Sequence, residues 1–66
     1  MLICNVGKLI KDSPFKREYL CDYLGVSANT LTNWCQGKTY PPADKLFKLA
    51  YVLKVPVKEF YIYVEE

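Results

Sequence analysis

The run Gly25-Val26-Ser27 constrains this chain more than any other feature. Ahead of it, Leu20, Cys21 and Leu24 recur at helical spacing; behind it, Leu31 and Trp34 mark one side of a second helix. Gly25 supplies the left-handed conformation that stops the first helix. Ser27 is placed to cap the second, with its hydroxyl facing the backbone amide of Thr30. Helices joined by so short a turn cannot lie side by side. They cross steeply, and the outer face of the second one protrudes. A protruding polar helix without acidic residues has the shape and chemistry that suit a DNA major groove. The pattern predicts a DNA-binding helix-turn-helix over about residues 16–36.

The remaining chain frames that motif as one domain spanning residues 1–66. A short first helix is expected from Val6 to Asp12, with Asn5 as its cap and Val6, Leu9 and Ile10 facing inward. Ser13-Pro14 reads either as cap plus first helical residue or as a short connection. The second helix begins near Lys16, and the third runs to Gln36 and stops at Gly37. Tyr40-Pro41-Pro42 is extended, because a residue before proline avoids the helical region. Leu46, Leu49, Ala50 and Leu53 give a fourth helix over Ala43 to Lys54. A short turn follows from Val57 to Phe60. Tyr61 to Val64 is rich in β-branched and aromatic residues and reads as a strand, with Met1 to Cys4 as its candidate partner.

At 66 residues the chain buries only about 60% of its unfolded surface, so the core is small. No segment approaches the ~20 apolar residues of a membrane span, and the opening Met1-Leu2-Ile3-Cys4-Asn5 has no signal-peptide pattern. The three cysteines, Cys4, Cys21 and Cys35, are odd in number, lack metal-ligand spacing and stand in a chain without histidine. They read as reduced thiols of a cytoplasmic protein. No Ser/Lys or paired-carboxylate arrangement replaces the missing histidine. The expectation is no enzyme, no cofactor, no metal and no membrane.

The net charge of +2 is too small to argue for nucleic acid, but its distribution is informative. From Gly25 through Ala43 there is no acidic residue, whereas Lys38 lies within that stretch and Lys16 and Arg17 just ahead of it. Acids stand at Asp12, Glu18, Asp22, Asp44, Glu59, Glu65 and Glu66. One surface is thereby left fit for phosphates, and the acidic far end would be repelled by them.

At about 100° per residue, Ser27, Leu31, Trp34 and Cys35 share one side of the third helix, and Asn29, Thr32, Asn33 and Gln36 the other. An ordinary surface helix carries Lys and Glu there, and two asparagines lower helix propensity without structural return. Asparagine and glutamine hold adenine through its N6 and N7, and Ala28 and the Thr32 methyl suit thymine methyl groups. The chemistry points to a site containing A·T pairs. The alternative is an amide-rich face that only meets water. Lys16, Arg17, Lys38, Thr39 and Tyr40 flank the helix as phosphate contacts, with Arg17 also within reach of a base edge.

Leu20-Cys21-Asp22-Tyr23-Leu24-Gly25-Val26-Ser27, followed by Leu31, Trp34, Gly37-Lys38 and Pro41, resembles the Cro/C1-type (lambda-repressor-like, XRE-type) helix-turn-helix family of phage and bacterial regulators. So does Leu46-x-x-Leu49-Ala50-x-x-Leu53-x-Val55, and the match runs from about Val6 to Phe60. The resemblance implies an all-α, five-helix domain that binds double-stranded operator DNA as a homodimer, without cofactor or catalysis. By position it implies that Arg17, Ala28, Asn29, Thr32 and Asn33 approach bases. It implies that Lys16, Ser27, Gln36, Lys38, Thr39 and Tyr40 approach phosphates. The chain departs from the family in three places. Arg17 stands where glutamine is common, which turns its expected contact to phosphate or guanine, and Lys16 stands where a serine caps the second helix. Ile10 and Cys35 replace an arginine and a glutamate that form an ion pair, so an apolar contact between these two residues is expected.

Phe60, Ile62 and Val64 alternate with Tyr61 and Tyr63, giving the tail two faces. It either covers its own monomer's core by pairing with Met1–Cys4 or forms the subunit interface through Phe60, Tyr61, Ile62, Tyr63 and Val64. On the second reading, truncation after Phe60 yields monomers. Two functions fit the chain. One is a transcriptional regulator, most simply a repressor on an inverted-repeat operator. The other is an interaction module of the same fold, an antitoxin or adaptor with a protein partner.

Overall fold

A computed structural model describes residues 1–65. In chain order it comprises β1 (Leu2–Cys4), α1 (Val6–Asp12), α2 (Arg17–Leu24), α3 (Ala28–Gln36), α4 (Ala43–Leu53), a 3-10 turn (Val57–Glu59) and β2 (Tyr61–Tyr63). The expectation of five α-helices is corrected. Among the described residues there are four, and a single 3-10 turn takes the fifth place. Pro56 opens that turn and β2 begins at Tyr61, so too few residues remain for an α-helix. The bonds from Glu59 N–H to the Pro56 carbonyl and from Phe60 N–H to the Val57 carbonyl have the tighter i→i−3 pattern.

β1 and β2 pair antiparallel, with Leu2 opposite Tyr63, Ile3 opposite Ile62 and Cys4 opposite Tyr61. The pairing of the two ends is therefore real, and the fold is mostly helical with a two-stranded sheet. Met1 and Val64 close it, each backbone nitrogen donating to the other's carbonyl at 2.7 Å. The acidic end reaches Glu66, which lies outside the described residues.

The core draws on every helix: Val6 and Ile10 from α1, Leu20 and Leu24 from α2, Leu31 and Trp34 from α3, and Leu49 and Ala50 from α4. Phe60 completes it with no exposed surface in the single chain. Leu46 and Leu53 are half-buried at its edge. α1 lies close on α3 because Gly7 has no side chain. A Cβ there would stand 3.0 Å from the Cys35 carbonyl oxygen.

Asn5 occupies the cap position of α1 but does not cap it. Its side-chain Nδ2 donates to the Glu59 carbonyl at 3.3 Å and its N–H to the Phe60 carbonyl at 2.9 Å. The residue ties the two chain ends together instead of closing the helix. Ser13 ends α1, with its hydroxyl donating to the Ile10 carbonyl at 2.7 Å, so Ser13-Pro14 is a connection. α4 stops one residue before the expected Lys54, which caps it in the left-handed conformation at φ 58°.

Candidate functional site

The geometry of α3 begins with its two ends. Ser27 Oγ accepts from the Thr30 N–H at 3.1 Å and donates to Thr30 Oγ1 at 3.0 Å, so the cap expected from the sequence is made. Gly37 adopts φ 76° and its N–H, with that of Lys38, turns back to the Trp34 and Asn33 carbonyls at 3.2 and 3.0 Å. That closure sets where Lys38 and Thr39 leave the helix. Between the ends, Leu31 and Trp34 anchor α3 in the core, and Ala28, Asn29 and Gln36 face outward and are exposed. Thr32 and Asn33 are half-buried on the flanks of that outer face. Among the described residues no hydrogen bond uses the side-chain amides of Asn29, Asn33 or Gln36. They remain available to a ligand.

Gly25 ends α2 at φ 72° and ψ 35°, and the chain turns directly into Ser27. A contact that sequence spacing does not reveal secures this corner. Lys45 of α4 donates from Nζ to the Leu24 carbonyl at 2.6 Å, satisfying an orphan carbonyl at a negative helix end. The signal for it is absent from the sequence because Lys45 and Leu24 meet only through the packing of α4 on α2.

Arg17 is the first residue of α2 and reaches across to α3. Its Nη2 donates to Thr32 Oγ1 at 2.7 Å and its Nη1 to Cys35 Sγ at 3.7 Å. The structure thus brings two expected site residues, Arg17 and Thr32, into direct contact. It also adds Cys35, a residue whose helical spacing puts it on the inward side. Burial pushes the Cys35 thiol above its ordinary value, with the neighbouring Arg17 charge opposing that shift. Cys35 and Ile10 pack into one apolar cluster. The tight contact of Cys35 on α1 is with Gly7.

Lys16 holds the cap position of α2 without a side-chain bond, which leaves the first amides of that helix uncapped. Beside them opens a pocket of about 600 Å³ whose charged border is Lys11, Lys16, Arg17 and Glu18. Lys38, Thr39 and Tyr40 are exposed at the far end of α3. The Tyr40 ring meets that of Tyr61 edge-on, with centroids 5.6 Å apart, and so links this loop to the sheet. Burial pushes the Tyr61 phenol well above the ordinary tyrosine value, with Cys4 adding to it. Its hydroxyl is buried and unpartnered, since the Cys4 thiol beside it donates to the Trp34 carbonyl at 3.3 Å.

In the tail, Tyr61 is half-buried, whereas Ile62, Tyr63 and Val64 are exposed, as are Met1, Leu2 and Ile3 opposite them. Among the described residues no group of three Cys, Asp or Glu side chains is placed to hold a metal ion. Nor, among the described residues, is any helix long and apolar enough to cross a membrane.

The helix-turn-helix family model matches residues 15–60. A crystal structure of a provisionally assigned DNA-binding protein from Bacteroides fragilis is similar over 94% of this chain and 100% of that one, at 26% identity and a TM-score of 0.83. A transcriptional regulator from Listeria innocua is similar over 94% of this chain, at 29% identity and a TM-score of 0.77. The chain spans 58% of that regulator. The curated proteins contain no match.

Proposed function

We propose, from the premise that the chain belongs to the Cro/C1 (XRE) type of the helix-turn-helix family, that it is a sequence-specific regulator of transcription. The observation that carries this reading is the outer face of α3. It is free of acids, presents Asn29, Asn33 and Gln36 without protein partners, and is flanked by Lys16, Arg17 and Lys38. The DNA-binding and regulatory descriptions of the two similar structures agree with it.

α3 lies in the major groove of double-stranded DNA, and Arg17, Ala28, Asn29, Thr32 and Asn33 approach base edges. Lys16, Gln36, Lys38, Thr39 and Tyr40 meet phosphates on either side. Ser27 contributes the positive end of α3 more than its hydroxyl, which Thr30 already engages. The uncapped start of α2, beside Lys11 and Lys16, suits a backbone phosphate in the same way.

One small domain reads one half-site, so the operator is an inverted repeat and the protein a homodimer in the cytoplasm. The exposed apolar side chains of Ile62, Tyr63 and Val64 suit the subunit contact. Occlusion of polymerase is the simplest mechanism, which makes the protein a repressor. The exposed ends also suit a protein partner, as in an antitoxin or adaptor. Crosslinking in native cells, followed by recovery of the bound material, separates the two readings. A regulator returns discrete promoter segments. A stoichiometric second protein without enriched DNA supports the partner reading.

A further inference from the structure

We propose that Arg17 reads a guanine in each half-site, held for that task by Thr32 and Cys35. The proposal rests on the DNA-binding reading and reaches beyond its A·T chemistry.

Three observations carry it. Arg17 does not extend from α2 into solvent. It lies against α3, bonded through Nη2 to Thr32 Oγ1 at 2.7 Å and through Nη1 to Cys35 Sγ at 3.7 Å. Thr32 flanks the outer face that carries Asn29 and Asn33, and Cys35 lies further round toward α1, so the guanidinium lies along the edge of that face. An arginine aimed at the flanking backbone has no need of an anchor in the middle of α3.

Both partners are also neutral. A threonine hydroxyl carries no charge, and burial keeps the Cys35 thiol protonated at neutral pH. The +1 charge of Arg17 is therefore positioned without being cancelled. Finally, a guanidinium has five N–H donors in a rigid fork, and α3 uses two of them. The other three suit a bidentate contact to guanine O6 and N7, the commonest specific arginine contact. The side chain's rotamer is set before DNA arrives, which lowers the entropy lost on binding. A carboxylate at residue 35 would cancel the guanidinium charge that the neutral cysteine leaves intact.

The test uses the full chain and its selected duplex, with each guanine replaced in turn by 7-deazaguanine, which lacks N7. One replacement per half-site weakens wild-type binding by about ten-fold, and the effect vanishes in Arg17→Ala. Cys35→Glu abolishes the guanine preference by pairing with Arg17. Cys35→Ser keeps it, because serine is again a neutral acceptor. If Arg17→Ala weakens all duplexes alike and flattens the salt dependence by about one charge, Arg17 contacts phosphate and the proposal is overturned. An operator without a fixed guanine overturns it as well, while the regulatory reading survives. A chain that selects no duplex at all overturns both.

Discussion

At the scale of single residues, the informative positions are those where a side chain does something its type does not announce. Gly7 is one. Alanine would favour the helix by about 1 kcal/mol, but its Cβ would press the Cys35 carbonyl of α3 at 3.0 Å. Because the obstacle is backbone, the packing loss outweighs the propensity gain. Gly7→Ala is expected to lower stability by about 1 kcal/mol and the Tm by about 5 °C; a raised Tm would mean that α1 moves away freely. Tyr61 is another. Its phenol is pushed above the ordinary tyrosine value by burial, so the folded state holds its proton more tightly than the unfolded state. Stability is then intact below pH ~10, the unfolded value, and is lost as pH rises toward the folded one. Tyr61→Phe should remove this alkaline loss and, by deleting an unpartnered hydroxyl, leave stability at pH 7 equal or higher by up to ~1 kcal/mol. Equilibrium denaturation at pH 7 and pH 10.5 checks both arms, and persistence of the full alkaline loss in the variant would contradict the assignment. Neither behaviour is legible in the sequence. Gly7 and Tyr61 acquire their roles from partners far along the chain.

At the scale of elements, local chemistry was sufficient wherever a boundary is made by residues next to it. Gly25, Ser27 and Gly37 carry their conformations in their own types, and α3 starts and stops where they dictate. Ser27→Ala is therefore expected to cost about 1 kcal/mol through loss of the cap. A chemical denaturation midpoint that does not move would show that Thr30 finds another partner. Local reasoning failed where tertiary contacts compete. Asn5 has the residue type of a cap, but its side chain bonds the Glu59 carbonyl while its backbone N–H bonds that of Phe60. The fifth helix shrank to one 3-10 turn for a related reason. Phe60 is drawn wholly into the core and β2 must start immediately after it. The placement of the candidate site followed the legible elements, so its residues gather on α3 and its flanks. The Arg17–Thr32–Cys35 contact was not legible, since a helix-face projection treats each helix alone.

At the scale of the whole molecule, the two ends form a sheet that leaves Leu2, Ile3, Ile62 and Tyr63 exposed together. A charge at residue 62 would remain in water in the monomer but be buried in a dimer formed through this face. Ile62→Lys is thus expected to sediment as a folded monomer and the parent chain as a dimer, and a dimeric variant would move the interface elsewhere. It is a sharper probe than truncation after Phe60, which would also strip β1 of its partner. The sheet, the loop at Tyr40 and α3 form one connected body through the Tyr40–Tyr61 contact and the Cys4–Trp34 bond. Any twofold pairing of the ends would therefore fix the separation of the two α3 helices. The most direct test of the account is selection from random duplexes at near-physiological salt, using the full chain. The account predicts an enriched inverted repeat with half-sites about 10 base pairs apart, lost in the Asn29→Ala/Asn33→Ala variant. Recovery of no preferred sequence by the folded wild-type chain would contradict it.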